Sequence, residues 1–238
     1  MPMTPSETNA LIDRLRGCDT PTVCNAIEVA QGRRGFDGFT HRTPLWAGEP
    51  DERIVGFART ARIAGNAPPG DPPEAIRARR MAYFASMADG PRPALAVIED
   101  TDGDAALGAW WGEIHAQVHA RVFGMAGAVT NGVMRDLGDR PEDFPILAGS
   151  VGPSHGFVHV RDVGTPVAIF GMTVTQGDLI HADRHGAVCV PAAVIPHLDA
   201  ALDRLFAAED VILGPLRDGP VDFDAFRDLW ARFEKART

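Results

Sequence analysis

An arginine and an aspartate, Arg135 and Asp136, stand side by side in the stretch TNGVMRD, after an apolar run and an Asn-Gly pair. A guanidinium binds carboxylates and carbonyl oxygens with a fixed geometry, and a carboxylate is a preferred ligand of hard divalent cations. The ordinary alternative for such a dipeptide is a solvated ion pair, because most charged side chains lie on the surface. The elements that position the two residues decide between these interpretations.

The sequence around the dipeptide predicts a strand, a helix and a second strand. The runs ALAVIED and AGAVTNG are apolar and typical of buried strands, and GAWWGEIHAQVHARVFG between them predicts a helix that begins near Trp110 or Trp111. A unit of this length joins two parallel strands, whose carboxyl ends lie at the same edge of the sheet. Open α/β folds bind their ligands at that edge. Besides the dipeptide and the helix start, this edge is expected to collect Glu99, Asp100 and Asn131.

Together these features predict a site for an anion and a metal. The first turn of a helix has unpaired backbone N–H groups that suit a carboxylate. Arg135 could bind the same anion or an adjacent carbonyl oxygen, and Asp136 could hold a divalent cation. Such a set of groups can stabilise an enolate. The only lysine of the sequence, Lys235, lies close to the carboxyl end, which favours a metal over a Schiff base.

Three other motifs fit their possible functions less well. GPSHG at 152–156 matches the Gly-x-Ser-x-Gly pattern of serine hydrolases but lacks the strand before the serine and the helix after it. The acidic stretch from Asp100 lacks the glycine and the glutamate that a calcium loop needs. His115 and His119 have the spacing of zinc ligands, but no glutamate follows the first histidine and no third ligand is evident. A packed or exposed histidine pair is therefore favoured over zinc.

The stretch GDLIHADRHG at 177–186 contains two aspartates and two histidines. We interpret it first as a turn between strands in which Asp178 and Asp183 cap backbone amides. The alternative that His181 and His185 point into a site formed with another loop or subunit stays open.

Composition argues against several classes of protein. The chain has 238 residues, 45% of them apolar, and a formal net charge of −9. An acidic chain of this kind is poorly suited to bind a nucleic-acid backbone. The three cysteines form no Cys-x-x-Cys pair, the amino-terminal segment has no apolar signal core, and no run is long enough to cross a membrane. We therefore expect a cytoplasmic protein without nucleic-acid or membrane partners.

The remaining pattern predicts one α/β domain over residues 1–238. Helices are expected near the amino terminus, over PEAIRARRMAYFASMA, and over PAAVIPHLDAALDRLFAAED, where Pro196 could kink or split the helix. Strands are expected over RIVGFARTARIA and from DFPILA to GAVCVP. The core is expected to span about 18–208, and a carboxyl-terminal helical extension is expected over about 209–238.

In several segments taken in order, the chain resembles the RraA-like proteins, a family that includes 4-hydroxy-4-methyl-2-oxoglutarate aldolases and oxaloacetate decarboxylases. The segments are WGEIHA, GMAGAVTNGVMRD, FPILAGSVGPSH and GMTVTQGDLIHADRHGAVCVP. The resemblance implies a three-layer β/β/α fold of the swivelling-domain type, assembled as homotrimers or homohexamers with active sites between subunits. It also implies a divalent metal, Mg²⁺ or Mn²⁺, and cleavage of a small 2-oxo acid through a pyruvate enolate.

The resemblance assigns roles to the dipeptide and to the helix start. The backbone amides that would bind the pyruvyl carboxylate belong to Gly112, Glu113, Ile114 and His115. Arg135 would bind the carbonyl oxygen and stabilise the enolate, while Asp136 would ligate the metal. Glu113 stands where the family has an acid that holds water beside the metal, and Glu209 stands near the acid that is lent to a neighbouring subunit.

The chain departs from the family pattern at some positions, which leave the substrate more open than the chemistry. A shorter aspartate is common where Glu113 stands. The segments that are richer in histidine than the pattern contain His155, His159, His181 and His185. The family also contains a regulator that binds and inhibits a ribonuclease, so a non-catalytic role in binding a protein partner is the alternative. The Arg135–Asp136 pair favours an enzyme, because a binding protein has no chemical need for it.

Overall fold

The computed structural model describes residues 3–42 and 44–237. This part of the chain contains six α-helices and thirteen β-strands, joined by turns and loops. The helices are α1 Pro5–Arg16, α2 Thr20–Gln31, α3 Pro73–Ala88, α4 Glu113–Arg121, α5 Ile195–Asp218 and α6 Phe223–Arg237. The strands are β1 Leu45–Ala47, β2 Ile54–Ala64, β3 Ala94–Asp100, β4 Ala109–Trp111, β5 Ala128–Thr130, β6 Val133–Met134, β7 Ile146–Ala148, β8 Ser150–Val151, β9 His159–Val163, β10 Val167–Ile169, β11 Met172–Val174, β12 Leu179–Asp183 and β13 Gly186–Val190.

Eight of these strands form one curled sheet, in the order β1-β7-β5-β3-β2-β12-β13, with β9 paired to β2. The centre of the sheet is parallel: β2 pairs with β3, β3 with β5, and β5 with β7. The flanking pairs β1–β7, β2–β12 and β12–β13 are antiparallel. β10 and β11 form a separate hairpin, while β4, β6 and β8 form a small parallel sheet. The predicted α/β class is confirmed.

Side-chain alternation along β3 separates the layers of the fold. Ala94, Ala96 and Ile98 join a core cluster with side chains of α3 and α4. Leu95 and Val97 point to the other face and pack with the β10–β11 hairpin. On the helical side, α1, α2 and α5 form a further core with β2, β12 and β13. The large sheet therefore lies between a helical layer and a second β layer, which confirms the predicted three-layer β/β/α arrangement.

The two amino-terminal helices each begin after a polar residue that caps the helix. Thr4 and Glu7 form a capping box, in which the Glu7 carboxylate accepts from the Thr4 N–H at 2.7 Å. Asp19 caps α2, where its carboxylate accepts from the Thr22 N–H at 2.9 Å. Leu15 of α1 is fully buried. These helices therefore cover the helical side of the sheet near β12 and β13.

The predicted strand–helix–strand unit is confirmed as β3, α4 and β5, because β3 and β5 are parallel neighbours. The predicted start of its helix is wrong, since Trp110 and Trp111 lie in β4 and α4 begins at Glu113. β4 pairs with β6, and both tryptophan side chains are buried, so strand pairing and aromatic burial keep this segment extended. The first turn of α4 consequently lies beside the end of β6.

The carboxyl-terminal part consists of α5 and α6, which pack on each other. Pro196 lies in the first turn of α5, where its missing N–H breaks no helical hydrogen bond, and the helix is neither kinked nor split there. The expected boundary between the core and the carboxyl-terminal extension, at residues 208 and 209, falls inside α5. The division of the chain into these two parts remains a prediction. None of the helices that the described residues form is both long and apolar enough to cross a membrane.

Candidate active site

The backbone places Arg135 and Asp136 against the start of α4. The Arg135 N–H donates to the Trp111 carbonyl at 2.7 Å, which extends the pairing of β4 with β6. Asp136 follows with a φ of 54°, in the left-handed region that aspartate tolerates better than most residues. Its Oδ2 accepts from the Glu113 N–H at 3.2 Å. The dipeptide and the helix start therefore meet, as the sheet-edge argument predicts.

Gly112, the N-cap of α4, leaves room for both charged side chains. A Cβ at this position would lie 2.7 Å from Asp136 Oδ2 and 3.0 Å from Arg135 Nε, closer than ordinary contacts allow. The backbone of Gly112 is extended, with a φ of −139°, so the glycine is needed for space and not for conformational freedom. The absence of a side chain lets the carboxylate and the guanidinium pack directly on the helix start.

Arg135 and Asp136 form a loose ion pair that stays accessible. Arg135 Nε lies 3.6 Å from Asp136 Oδ2, and the two side chains are 35% and 33% exposed. Pairs of this kind stabilise a fold by only about 0–1 kcal/mol. A contribution to stability is therefore a weak reason for this pair to be present. The amino terminus of α4 adds positive potential at the same point. This geometry suits a small anion with oxygen atoms on adjacent carbons, such as a 2-oxo acid.

The donor set fits a hard cation that keeps much of its water. Within residues 3–42 and 44–237, no group of three or more His, Cys, Asp or Glu side chains is placed to hold a metal ion. A zinc site usually takes three or four such ligands. Mg²⁺ needs fewer, because it retains several waters and binds through one or two carboxylates together with substrate oxygens. The half-exposed Asp136 carboxylate fits that role.

The remaining predicted residues divide between this point and a distant helix. Glu113 and Ile114 are exposed in the first turn of α4, and the Ile114 side chain is 75% exposed. Glu209 is half-buried on α5. No hydrogen bond or ion pair found among the described residues of one chain joins Glu209 to Arg135 or Asp136. A contribution of Glu209 from a neighbouring subunit remains a prediction.

His119 belongs to a buried hydrogen-bond chain. Its Nδ1 donates to the His115 carbonyl at 2.6 Å, so Nε2 is an acceptor and takes the hydroxyl hydrogen of Tyr83 at 2.7 Å. Trp110 Nε1 donates in turn to the Tyr83 oxygen at 3.4 Å. Burial lowers the pKa of His119 to about 3. Both ring nitrogens are occupied, which leaves none for zinc and supports the interpretation of a packed pair.

His115 is held neutral beside two arginines. Its ring packs edge-on against Trp110, with ring centroids 4.4 Å apart. Burial, together with the positive charges of Arg80 and Arg135, lowers the pKa of His115 to about 4. Its Nδ1 is buried and has no hydrogen-bond partner among the described residues. At neutral pH this imidazole therefore carries no charge and lies within electrostatic reach of both guanidinium groups.

Asp100, at the carboxyl end of β3, is a buried acid. The sequence predicts its place at this edge of the sheet but indicates no role for it. Asp100 is 1% exposed, its Oδ2 has no partner within the described part of the chain, and burial raises its pKa to about 6. Asn131 accepts from the Asp100 N–H at 2.7 Å and donates to the Asp100 carbonyl at 2.9 Å, tying β5 to β3. The expectation for Glu99 is wrong, because strand alternation turns it to the opposite face, where it pairs with Arg62 at 3.2 Å.

The histidine-rich stretch at 177–186 is structural within one chain. His181 is fully buried, where its Nε2 donates to the Cys18 carbonyl at 3.0 Å and its Nδ1 accepts from the Thr20 hydroxyl at 3.0 Å. Asp183 accepts from the Thr20 N–H at 2.8 Å and lies 3.1 Å from His185 Nδ1. Burial lowers the pKa of His181. These groups fasten the start of α2 to β12. Asp183 also accepts from the His185 N–H at 2.8 Å, and Asp178 accepts from the Thr175 N–H at 2.7 Å, which confirms the predicted capping role of both aspartates.

A protein-family model described as RraA-like, Aldolase/RraA, matches residues 20–189. The matched range contains the first turn of α4, Arg135 and Asp136, and it ends before Glu209. An uncharacterized protein of Methanocaldococcus jannaschii, MJ0644, is 29% identical over 90 residues, which are 37% of this chain and 43% of that relative. The match thus spans less than half of the relative's length.

Solved structures share the fold over most of the chain. The crystal structure of an uncharacterized protein from Pseudomonas syringae pv. tomato str. DC3000 has a TM-score of 0.67 at 21% identity, covering 100% of this chain and 95% of that one. Streptomyces coelicolor RraAS2, described as an unusual member of the RNase ES inhibitor RraA protein family, has a TM-score of 0.62 at 23% identity, with 84% and 92% covered. At these identities the similarity to solved structures shows the fold alone.

Proposed function

Because the chain belongs to the RraA-like family, we propose that it is a carbon–carbon lyase that depends on a divalent metal. It would cleave a 4-hydroxy-2-oxo acid such as 4-hydroxy-4-methyl-2-oxoglutarate, or decarboxylate oxaloacetate, through a pyruvate enolate. The observation that carries the proposal is the packing of Arg135 and Asp136 against the start of α4, where Gly112 leaves room for both side chains. An accessible cation, carboxylate and helix terminus at one point suit a 2-oxo acid.

The substrate is held by its 2-oxo carboxylate. The N–H groups of the first turn of α4, from Gly112 to His115, would bind this carboxylate, because they have no partner within the helix. The N–H of Glu113 would be shared with Asp136 Oδ2. Arg135 donates to the adjacent 2-oxo oxygen. These two contacts orient the planar 2-oxo acid, so that charge developing on the 2-oxo oxygen meets a group already in place.

In aldol cleavage, the 4-hydroxyl proton passes to a base and the C3–C4 bond breaks. The electron pair of that bond moves to C3 and is delocalised onto the 2-oxo oxygen, which gives pyruvate enolate and a carbonyl compound from C4. Arg135 stabilises the oxygen charge, and protonation at C3 gives pyruvate. In oxaloacetate, carbon dioxide leaves from C4 and the same enolate forms.

Asp136 is the residue that would hold Mg²⁺ or Mn²⁺. The hydrogen bond from the Glu113 N–H fixes the orientation of its carboxylate, and its exposure leaves oxygen atoms for a cation. When bound, the ion would supply a Lewis acid that polarises the 2-oxo group. Arg135 acts on the same oxygen, so the protein and the ion would share the developing charge.

A water molecule held by an acidic side chain, Glu113 or Glu209, would remove the 4-hydroxyl proton. Glu113 is exposed in the turn that binds the carboxylate, and Glu209 would come from a neighbouring subunit of a homotrimer or homohexamer. Large apolar side chains lie exposed around the site, as expected of a surface that a second subunit covers. They are Ile114, Leu137 and Val151, which are 75%, 46% and 51% exposed.

Pyruvate release tests the proposal. The purified protein is assayed with oxaloacetate and with 4-hydroxy-4-methyl-2-oxoglutarate, in Mg²⁺, in Mn²⁺ and after chelation. We expect turnover that chelation abolishes and either ion restores. Asp136→Asn is expected to lose metal-dependent turnover, and full activity of this variant would remove the ligand assignment. If folded wild-type protein turns over neither acid with either ion, the proposal is wrong for these substrates.

A non-catalytic regulator that binds a ribonuclease is the second candidate. The observation that favours it is the fold shared with RraAS2, which is described as a member of a ribonuclease-inhibitor family. A ribonuclease assay distinguishes the two candidates. Inhibition by wild type and by Asp136→Asn alike, without turnover of either acid, would support the regulator.

A further inference from the structure

A pocket of about 380 Å³ shares one residue with the proposed enolate site, and the mechanism above does not use it. His115 belongs to both, because its backbone is part of the first turn of α4 while its ring lines the pocket. The other walls come from α3, from β4 and from the segment between β8 and β9. The residues that give the pocket its chemistry are Ile76, Arg80, Trp110, His115, Phe157 and His159.

One wall of the pocket is apolar and partly aromatic. Ile76 of α3 and Trp110 of β4 line it, together with Phe157, whose side chain is 52% exposed. Exposed aromatic side chains in a concave site are typical of small-molecule binding, and sites for such ligands span roughly 300–1,000 Å³. The size and lining of this pocket therefore suit a ring or a branched alkyl group.

Two imidazole nitrogens in the pocket residues are buried without partners. His159 is 5% exposed, and its Nδ1 donates to the Phe157 carbonyl at 2.8 Å, so its Nε2 carries no hydrogen and is an acceptor. Within the described residues, neither His159 Nε2 nor His115 Nδ1 has a hydrogen-bond partner. Buried polar groups are normally paired. Both belong to residues that line this pocket, although neither nitrogen is itself open to solvent.

Arg80 supplies a positive charge at the same pocket. Its neighbour Arg79 forms an ion pair with Asp71, whereas the exposed Arg80 lines the pocket. A guanidinium beside an apolar wall can bind a carboxylate with two parallel hydrogen bonds. The positive charges of Arg80 and Arg135 both lower the pKa of the His115 imidazole. Arg80 therefore offers a partner for an acidic group on a ligand that reaches this pocket.

We propose that this pocket holds the fragment on the far side of the bond that breaks, and that the fragment has a ring-sized or branched apolar body ending in an acidic group at Arg80. This inference rests on the proposed lyase function. It assigns the substrate class as 4-hydroxy-2-oxo acids with a bulky carboxylated substituent at C4. Cleavage of 4-(4-carboxyphenyl)-4-hydroxy-2-oxobutanoate, for example, gives pyruvate and 4-formylbenzoate, with the hydroxyl proton transferred to C3 overall.

Comparison of three substrates tests the pocket with the Mg²⁺-loaded protein. The three acids carry a 4-carboxyphenyl, a phenyl or a methyl group at C4. We expect kcat/KM to fall in that order, by about tenfold or more at each step. Turnover of the methyl acid without any gain for the aryl acids would overturn the pocket inference and leave the lyase proposal intact. Absence of turnover of all three and of both earlier acids would overturn the lyase proposal itself.

Matched variants assign the selectivity to particular side chains. Phe157→Ala is expected to lower kcat/KM for both aryl acids about tenfold and to leave the methyl acid within about twofold. Phe223→Ala is the control, because Phe223 is 73% exposed on α6. Arg80→Gln is expected to remove the advantage of the carboxyphenyl acid over the phenyl acid. Arg77→Gln, one turn away on α3, should preserve it, and equal effects of the two arginine variants would contradict the assignment.

Binding of the product fragment gives a measurement that does not depend on turnover. Calorimetric titration of 4-formylbenzoate into Asp136→Asn protein is expected to show binding. Adding Arg80→Gln should weaken it about tenfold, while adding Arg77→Gln should not. The pocket inference would be overturned, whatever the activity of the wild type, if no binding is detected or if Arg80→Gln leaves the affinity for 4-formylbenzoate unchanged.

Discussion

The exclusion of a side chain at Gly112 sets the geometry of the candidate site. A Cβ there would lie 2.7 Å from Asp136 Oδ2 and 3.0 Å from Arg135 Nε. Gly112→Ala is expected to displace both groups and to lower kcat/KM for oxaloacetate about 100-fold, because small displacements of reacting groups are costly. Steady-state kinetics measure the effect. Gly138→Ala is the control, since a Cβ at Gly138 meets nothing within 4 Å, and an equal loss there would contradict the argument.

A second residue-scale consequence concerns the buried Asp100 carboxyl. Burial raises its pKa to about 6 from the ordinary value of 3.8. The native state therefore binds this proton more tightly than the unfolded chain does, and its ionisation increasingly destabilises the fold as pH rises through that interval. Asp100→Asn removes the penalty. We expect it to raise the free energy of unfolding, relative to wild type, by about 1–2 kcal/mol more at pH 8 than at pH 5.

Urea unfolding at both pH values measures the Asp100 effect. Asp139→Asn, at an exposed position nearby, is the matched control and should leave the difference between the two pH values unchanged. The same change in stability for Asp100→Asn at pH 5 and at pH 8 would show that the carboxyl does not titrate in this interval.

At the scale of elements, the Trp110–Tyr83–His119 chain joins β4, α3 and α4. Tyr83→Phe leaves His119 Nε2 buried without a donor, and we expect it to lower the free energy of unfolding by about 1–3 kcal/mol. Urea unfolding measures this loss. The double variant Tyr83→Phe, His119→Leu removes both partners, so its loss should be smaller than the sum of the two single losses. Additive losses would mean that the hydrogen bond contributes little.

Elements with a repeating apolar pattern could be predicted from the sequence, whereas elements held by tertiary pairing could not. Alternation in one segment and apolar runs in two others predicted strands, and the structure has β2, β3 and β5 there. The helices expected near the amino terminus are α1 and α2. Trp110 and Trp111 fit a helical pattern equally well, and only the pairing of β4 with β6 keeps them extended. The same limit applies to His119, because the partner that occupies its Nε2 lies on α3, distant in the sequence.

The candidate site shows the same division between local and distant determinants. The meeting of Arg135 and Asp136 with the start of α4 follows from two parallel strands and their crossover, which the sequence indicates. The ion pair of Glu99 could not be predicted, because its partner Arg62 lies on another strand, distant in the sequence. The pocket that His115 lines is assembled from three separate segments of the chain, so no single sequence motif predicts it.

At the scale of the whole molecule, the proposed site takes its second acid from a neighbouring subunit. Glu209 lies on α5, outside the residues that the family model matches. In the proposed assembly, the exposed apolar side chains around Arg135 and Asp136 would be covered by another subunit. A closed ring would bring α5 of one subunit to the sheet edge of the next. The assembly would then be a condition for activity as well as for stability.

Mixing two inactive variants tests whether subunits share the site. Asp136→Asn and Glu209→Gln are each expected to lose most activity. When the two proteins are unfolded together and refolded at equal amounts, some sites receive an intact Asp136 from one subunit and an intact Glu209 from its neighbour. Random assortment gives about a quarter of such sites in a cyclic homo-oligomer, so about a quarter of wild-type pyruvate release should return. Separately refolded variants are the control. If Glu209 acts within its own chain, no mixed site is complete and no activity returns; if Glu209→Gln alone stays fully active, Glu209 is not part of the site.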